Sequence, residues 1–136
     1  PTADEVADAR AVVRERLGAI LRAVPVERAK TWVGVAGTFT TIAALAQRMT
    51  TYDAAAIHLS TVGFAELLPV CDQLIAMTRR QRAALGPMHE GRVDVIGGGA
   101  IVVAELAREF GSRAGIPALT VSEHDILDGV ARSLVG

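Results

Sequence analysis

The residues with the clearest capacity for chemistry are Ala36-Gly37-Thr38-Phe39-Thr40-Thr41. They lie between an apolar strand-like run, Thr31-Trp32-Val33-Gly34-Val35, and an Ala- and Leu-rich stretch of helical spacing. The first backbone N–H groups of a helix have no intrahelical acceptor, so they can receive an anion, and a small residue lets a phosphate approach. The neighbouring hydroxyls add donors. Gly37 and Thr38 could therefore contact a phosphate. The plainer alternative is a turn at Gly37 with Thr38 as the helix cap. GxxxxGK[ST] is absent, so this is not a P-loop.

Arg79, Arg80 and Arg82 form a cationic cluster that could dock a polyanion through charge-assisted hydrogen bonds, or simply face solvent on a short helix. Gly97-Gly98-Gly99 does not complete GxGxxG, because Val102 stands where the last glycine belongs. Glycines there read instead as sites of close helix packing. His58, His89 and His124 are scattered and have no partner at metal-ligand spacing. Cys71 falls in an apolar helical stripe and reads as core. Glu123-His124-Asp125 with Asp128 could bind a metal, but acids in the first turn of a helix also answer its dipole.

Spacing predicts the elements that would hold these residues. Thr2 and Glu5 have the interval of a capping box, and Val6, Val13, Leu17, Ile20 and Val24 make one apolar face, so a helix is expected over 2–24 before Pro25. A strand is expected over 31–35 and a helix over 38–48. Residues 55–59 read as a short edge strand. Ser60 or Thr61 then caps a helix over 62–77, with Leu67, Cys71 and Leu74 in its core stripe. A short helix and loop follow, and a helix crosses the glycine-rich segment 92–110, ended by Gly111. A second strand is expected over 118–121 and a last helix over 123–134, with Ser122 and Asp125 repeating the capping-box spacing. Strand, small-residue turn and helix make a unit of α/β proteins with parallel strands. Two parallel strands alone are a poor core, so leading strands are expected upstream of Pro1. The chain has no initiator Met and reads as a piece of a longer protein.

The bulk composition narrows the classes. The chain has 136 residues, 51% hydrophobic and 21% charged, which suits one packed domain over 1–136. Aromatics are only 4%, so Ala, Val, Leu and Ile must build the core. A net charge of -1 disfavours a nucleic-acid surface. No apolar run reaches the ~20 residues of a spanning helix, and no signal peptide opens the chain. A single cysteine suits a reducing, cytoplasmic setting.

Three blocks carry a family resemblance: Val33-Gly34-Val35-Ala36-Gly37-Thr38-Phe39-Thr40-Thr41, Gly91-Arg92-Val93-Asp94-Val95-Ile96-Gly97-Gly98-Gly99-Ala100, and Leu119 to Gly129. In this order and spacing they resemble the exopolyphosphatase / guanosine pentaphosphate phosphatase (Ppx/GppA) family. The resemblance implies a ribonuclease-H-like, actin-like ATPase fold. The chain would be the later part of the second actin-like domain, incomplete, helix-rich and without its leading strands. It implies hydrolysis of terminal phosphate from inorganic polyphosphate or guanosine pentaphosphate, with Mg²⁺, and makes Gly37 and Thr38 the expected phosphate contacts. The Mg²⁺ ligands, the family's Asp-Ile-Gly-Gly-Gly-Ser-Thr-Glu loop and the water-activating glutamate are all expected outside this chain. The isolated piece is accordingly expected to be inactive. Expected partners are the polyphosphate or nucleotide substrate, the missing N-terminal domain and a second copy in a homodimer, with no membrane and no nucleic acid. The rival readings are a non-enzymatic anion-binding or dimerisation module and a fragment of an actin-like sugar kinase.

Overall fold

In the computed structural model, residues 1–124 and 126–135 are described. The order is α1 (Ala3–Ala23), β1 (Trp32–Val35), α2 (Gly37–Ala46), α3 (Ala54–Ile57), β2 (Thr61–Gly63), α4 (Phe64–Ala76), α5 (Arg79–Ala83), α6 (Ile96–Ala114), β3 (Ala118–Ser122) and α7 (Ile126–Val135). The three strands form one sheet in the order β1-β3-β2. β1 runs parallel to β3, with Trp32 opposite Leu119 and Gly34 opposite Val121. β2 runs antiparallel to β3 and pairs Val62 with Leu119.

Alternation along the strands decides which face is covered. Trp32, Val62, Leu119 and Val121 are buried in the core built by α2, α4 and α6, whereas Val33 and Val35 on the opposite face of β1 stay about half exposed. Trp32 is the aromatic hub of that core. The rings of Phe39, Phe64 and Phe110 meet it edge-on at 5.8, 5.9 and 5.1 Å, a favoured aromatic geometry. Cys71 lies fully buried on α4, and burial pushes its thiol pKa up to about 12.

The capping box of Thr2 and Glu5 forms as its spacing predicts. The apolar face of α1 is set differently, however. Leu21 is buried, while Ile20 and Val24 are exposed at 55% and 50%. Val6, Ala9 and Val13 of α1 pack on the core, and charge adds a second fastening of α1 to α6. Buried Glu105 accepts from Arg10 Nη1 at 2.9 Å, Arg14 Nε at 2.9 Å and Arg108 Nη1 at 3.1 Å. Burial alone would raise the pKa of this carboxyl. The hydrogen bonds from Arg14 and Arg10, with the charges of Arg14 and Arg108, outweigh that and hold it below its ordinary value.

The middle of the chain departs from the expected pattern. Residues 54–57 are helical, not an edge strand, because the Asp53 side chain accepts from the N–H groups of Ala55 and Ala56 and caps a helical turn. The third strand lies instead at 61–63, inside the span expected to be helix, and α4 begins only at Phe64. β2 pairs the second edge of β3, which becomes the central strand of the sheet. Helix α6 starts later than expected, at Ile96, and runs through Gly111 to Ala114. Its left-handed cap is Gly115, at φ 67°. Residue 125, the partner in the second capping box, lies outside the described residues. Among those described, no helix is long and apolar enough to cross a membrane.

Two glycines of the run, Gly97 and Gly99, mark close packing, whereas Gly98 faces open space. A Cβ on Gly99 would stand 2.6 Å from Thr38 Cγ2 of α2, and one on Gly97 would stand 2.5 Å from Arg82 Nη2. Both are closer than carbon tolerates.

Candidate functional site

Four chain segments converge on an open cavity of about 510 Å³: the β1–α2 turn, the α2–α3 loop, the α5–α6 connection and the end of β3. The parallel pairing of β1 with β3 brings the C-terminal ends of both strands to this place, where ligands of open α/β sheets bind.

The β1–α2 turn is tight. Ala36, the residue before α2, adopts φ 69° and ψ 178°, a region occupied almost only by glycine, and offers no side-chain cap. The first helical bond to reach back is Thr40 N–H to Ala36 O at 3.2 Å. The N–H groups of Gly37, Thr38 and Phe39 consequently have no helical acceptor. Thr40 and Thr41 are buried beneath the turn, and the Thr40 hydroxyl donates within the same turn to Ala36 O or Gly37 O, at 3.3 Å to either.

Arg92 comes from the opposite side. It ends a single helical turn, Glu90–Arg92, started by His89, whose Nδ1 accepts from Gly91 N–H at 3.1 Å. Its guanidinium lies against the Cα of Gly37, in the space that any Cβ there would fill. Among the described residues Arg92 makes no side-chain hydrogen bond or ion pair. A guanidinium and a helix N-terminus, both positive, thus stand together with no carboxylate of the described residues between them.

Two features shape the rim. The backbone of Gly86 passes so near the carbonyl of Thr50 that no side chain fits between them, which draws the α5–α6 connection over the α2–α3 loop. On the far side, the Tyr52 hydroxyl donates to the Glu123 carboxylate, while Glu123 N–H donates to His58 Nδ1 at 3.1 Å. Glu123 and Tyr52 therefore close one wall as a unit.

The expected site residues part company here. Gly37 lines the cavity. Thr38 is neither the cap, which is Ala36, nor a wall of the cavity. Its side chain turns to α6 and packs on Gly99, and only its backbone N–H faces forward with the start of α2. The arginine cluster does not share one surface. Arg79 pairs with Asp94 at 2.7 Å, and Arg80 is exposed. Arg82 is buried, with Nε donating to Leu74 O at 2.9 Å, because α5 packs it beneath the first turn of α6. Arg92, Tyr52 and Glu123 were not singled out from the sequence as phosphate-site residues. The signal for Arg92 is its place in the second resemblance block, directly after Gly91 in an arginine-rich segment.

Among the described residues there is no Mg²⁺ site. Glu123 is the only carboxylate of those residues on the cavity wall and is engaged by Tyr52. Among the described residues no three His, Cys, Asp or Glu side chains come together to hold a metal.

The profile of the Ppx/GppA phosphatase family matches residues 1–134. The chain is 71% identical over all 136 residues to Exopolyphosphatase 2 of Mycobacterium tuberculosis, and spans 43% of that protein's length. It superposes on the crystal structure of an exopolyphosphatase-like protein with a TM-score of 0.95 at 33% identity, over 98% of this chain and 44% of that one. A Ppx/GppA family member from Aquifex aeolicus gives 0.82 at 23% identity, over 99% and 42%. The fold is thus part of the actin-like, ribonuclease-H-like α/β architecture that the resemblance implies. With its profile matched almost end to end, the chain belongs to the Ppx/GppA phosphatase family.

Proposed function

We propose that the chain forms one wall of the phosphate cleft of an exopolyphosphatase and is the later part of that enzyme's second actin-like domain. The observation that carries this reading is the unpaired Arg92 guanidinium held against the N-terminus of α2 at Gly37. Both elements attract oxyanions, and together they fit the end of a phosphate chain. The backbone N–H groups of Gly37 and Thr38 donate to one phosphate while Arg92 bridges to its oxygens. Water then attacks the terminal phosphorus and the anhydride bond breaks. Orthophosphate and a chain one phosphate shorter leave. Such transfer depends on placement and charge stabilisation, so the whole enzyme must supply the facing wall, Mg²⁺ and the water-activating carboxylate. Arg80, exposed beyond the cavity, is available to a longer polyphosphate. The free thiol of Cys71 suits a cytoplasmic enzyme.

Guanosine pentaphosphate is a second candidate substrate, since Tyr52, Pro87 and Met88 give the same cavity a less polar side that a nucleoside could cover. The test is phosphate release by the whole protein and its Arg92→Ala variant on both substrates, with residues 1–136 alone as a third sample. Arg92→Ala should raise KM by about tenfold, as expected for losing a charge-assisted contact, and the 136-residue piece should release nothing. Unchanged kinetics in Arg92→Ala, or turnover by the piece, would overturn the assignment.

A further inference from the structure

A second cavity, of about 230 Å³, lies between α1, α5 and the start of α6, away from the phosphate cleft. It contains a cation in an unusual setting. Arg82 is 9% exposed, so its guanidinium is nine-tenths withdrawn from water. Its Nε is committed to Leu74 O, but among the described residues Nη1 and Nη2 have no partner. No buried side-chain nitrogen or oxygen among those residues is both sealed from solvent and unpartnered. The two Nη groups therefore open onto the cavity that Arg82 lines. An unmatched buried guanidinium is costly, and a fitting acceptor would relieve that cost.

The surroundings specify the acceptor. Gly97 gives its side-chain space to the guanidinium, and the first turn of α6, which has no side-chain cap, points its backbone donors to the same end. The remaining walls are largely aliphatic: Val6, Ala9, Ile75 and Ile101. At the rim, beside Pro1, stands the carboxylate of Glu5. One guanidinium can neutralise one negative charge, and Glu5 disfavours any further charge at close range. Aliphatic walls favour an apolar tail over a second phosphate. We infer that this cavity is a binding site for a singly charged oxyanion with a short aliphatic chain, a small monocarboxylate, held end-on by Nη1 and Nη2 of Arg82. Polyphosphate does not suit it. The site is separate from the cleft at Gly37 and does not rest on the function proposed for that cleft.

The test uses the whole protein and sodium butanoate as probe, with sodium phosphate and sodium chloride at matched ionic strength. Saturation-transfer NMR on the butanoate methyl protons reads binding directly. A saturable signal is expected with butanoate, and phosphate should not displace it. Arg82→Gln should weaken binding by about tenfold, as for loss of a charged donor. Because Arg82 also ties α5 to α4, a second variant leaves it untouched. Ala9→Leu fills the cavity from α1 and should abolish the signal while the far-UV circular dichroism spectrum stays that of the wild type. Absence of a saturable signal in the wild type would mean that the surrounding protein closes the cavity, and would overturn the proposal. So would displacement by phosphate, or undiminished binding in Ala9→Leu.

Discussion

Replacing Gly37 with alanine separates anion binding from folding at the same residue. The new Cβ overlaps the Arg92 guanidinium and little else. To regain a carbon contact distance the guanidinium must retreat by about 2 Å. That retreat breaks no protein hydrogen bond, because Arg92 has none to lose. Alanine is also the better helix residue, by ~0.5–1 kcal/mol, so stability should hold or rise slightly. Phosphate binding should suffer instead. Near a protein surface, at an effective dielectric constant of about 20, unit charges attract by about 4.2 kcal/mol at 4 Å and about 2.8 kcal/mol at 6 Å. The difference of about 1.4 kcal/mol is about tenfold in affinity. The assay is KM for polyphosphate beside the melting temperature, in the whole protein. Thr38→Val is the control: it keeps the backbone N–H and packs a similar volume on Gly99, so KM should not move. A normal KM in Gly37→Ala, or a melting temperature lowered by several degrees, would refute the account of Arg92.

Ala36→Gly should stabilise the protein by about 1 kcal/mol, visible as about 3 °C in thermal unfolding, because the backbone there is in a region that costs alanine ~1–3 kcal/mol and glycine little. Glu105→Gln should cost about 2 kcal/mol, less than the usual cost of breaking a buried ion pair because Arg14 and Arg108 remain partly hydrated. The Glu105 carboxyl has a lowered pKa in the folded state, so its contribution is present in full above the unfolded carboxyl value near ~4.3 and disappears as pH falls through the folded one. The gap in urea stability between wild type and Glu105→Gln should therefore be widest at neutral pH and close in acid, and hydrogen exchange should rise first in α1.

Local signals were legible in the sequence. The Thr2–Glu5 box, the strand–turn–helix at 31–46, the core position of Cys71 and the packing role of Gly97 and Gly99 could all be read from spacing. The misreadings have physical causes. Ala54 to Ile57 is apolar enough for a strand, but Asp53 caps it as a helix. Thr61 to Gly63 is too short to show alternation and is a strand only because β3 is there to pair with it. Arginines adjacent in sequence went to different environments because a short helix turns each in its own direction: Arg79 to Asp94, Arg80 to solvent and Arg82 to the interior. Arg92 lies 55 residues beyond Gly37 in sequence (92 minus 37), and nothing local in either segment announces that the two meet. That meeting is a product of the sheet order and of Gly86 crossing Thr50.

Trp32 is the chain's single tryptophan, and all three of its phenylalanines pack edge-on around it. Two of these rings belong to α4 and α6 territory, on Phe64 and Phe110. The third, Phe39, sits in the first turn of α2, whose first backbone N–H groups have no helical acceptor. The indole is thereby wired to the cleft through one ring and shielded from water by the rest. Its fluorescence is a built-in optical gauge of the α2 N-terminus. If an anion settles at Gly37 and tightens that turn, the Phe39–Trp32 contact should shift, and a change in the emission of the 136-residue segment on adding phosphate would report it without any attached dye.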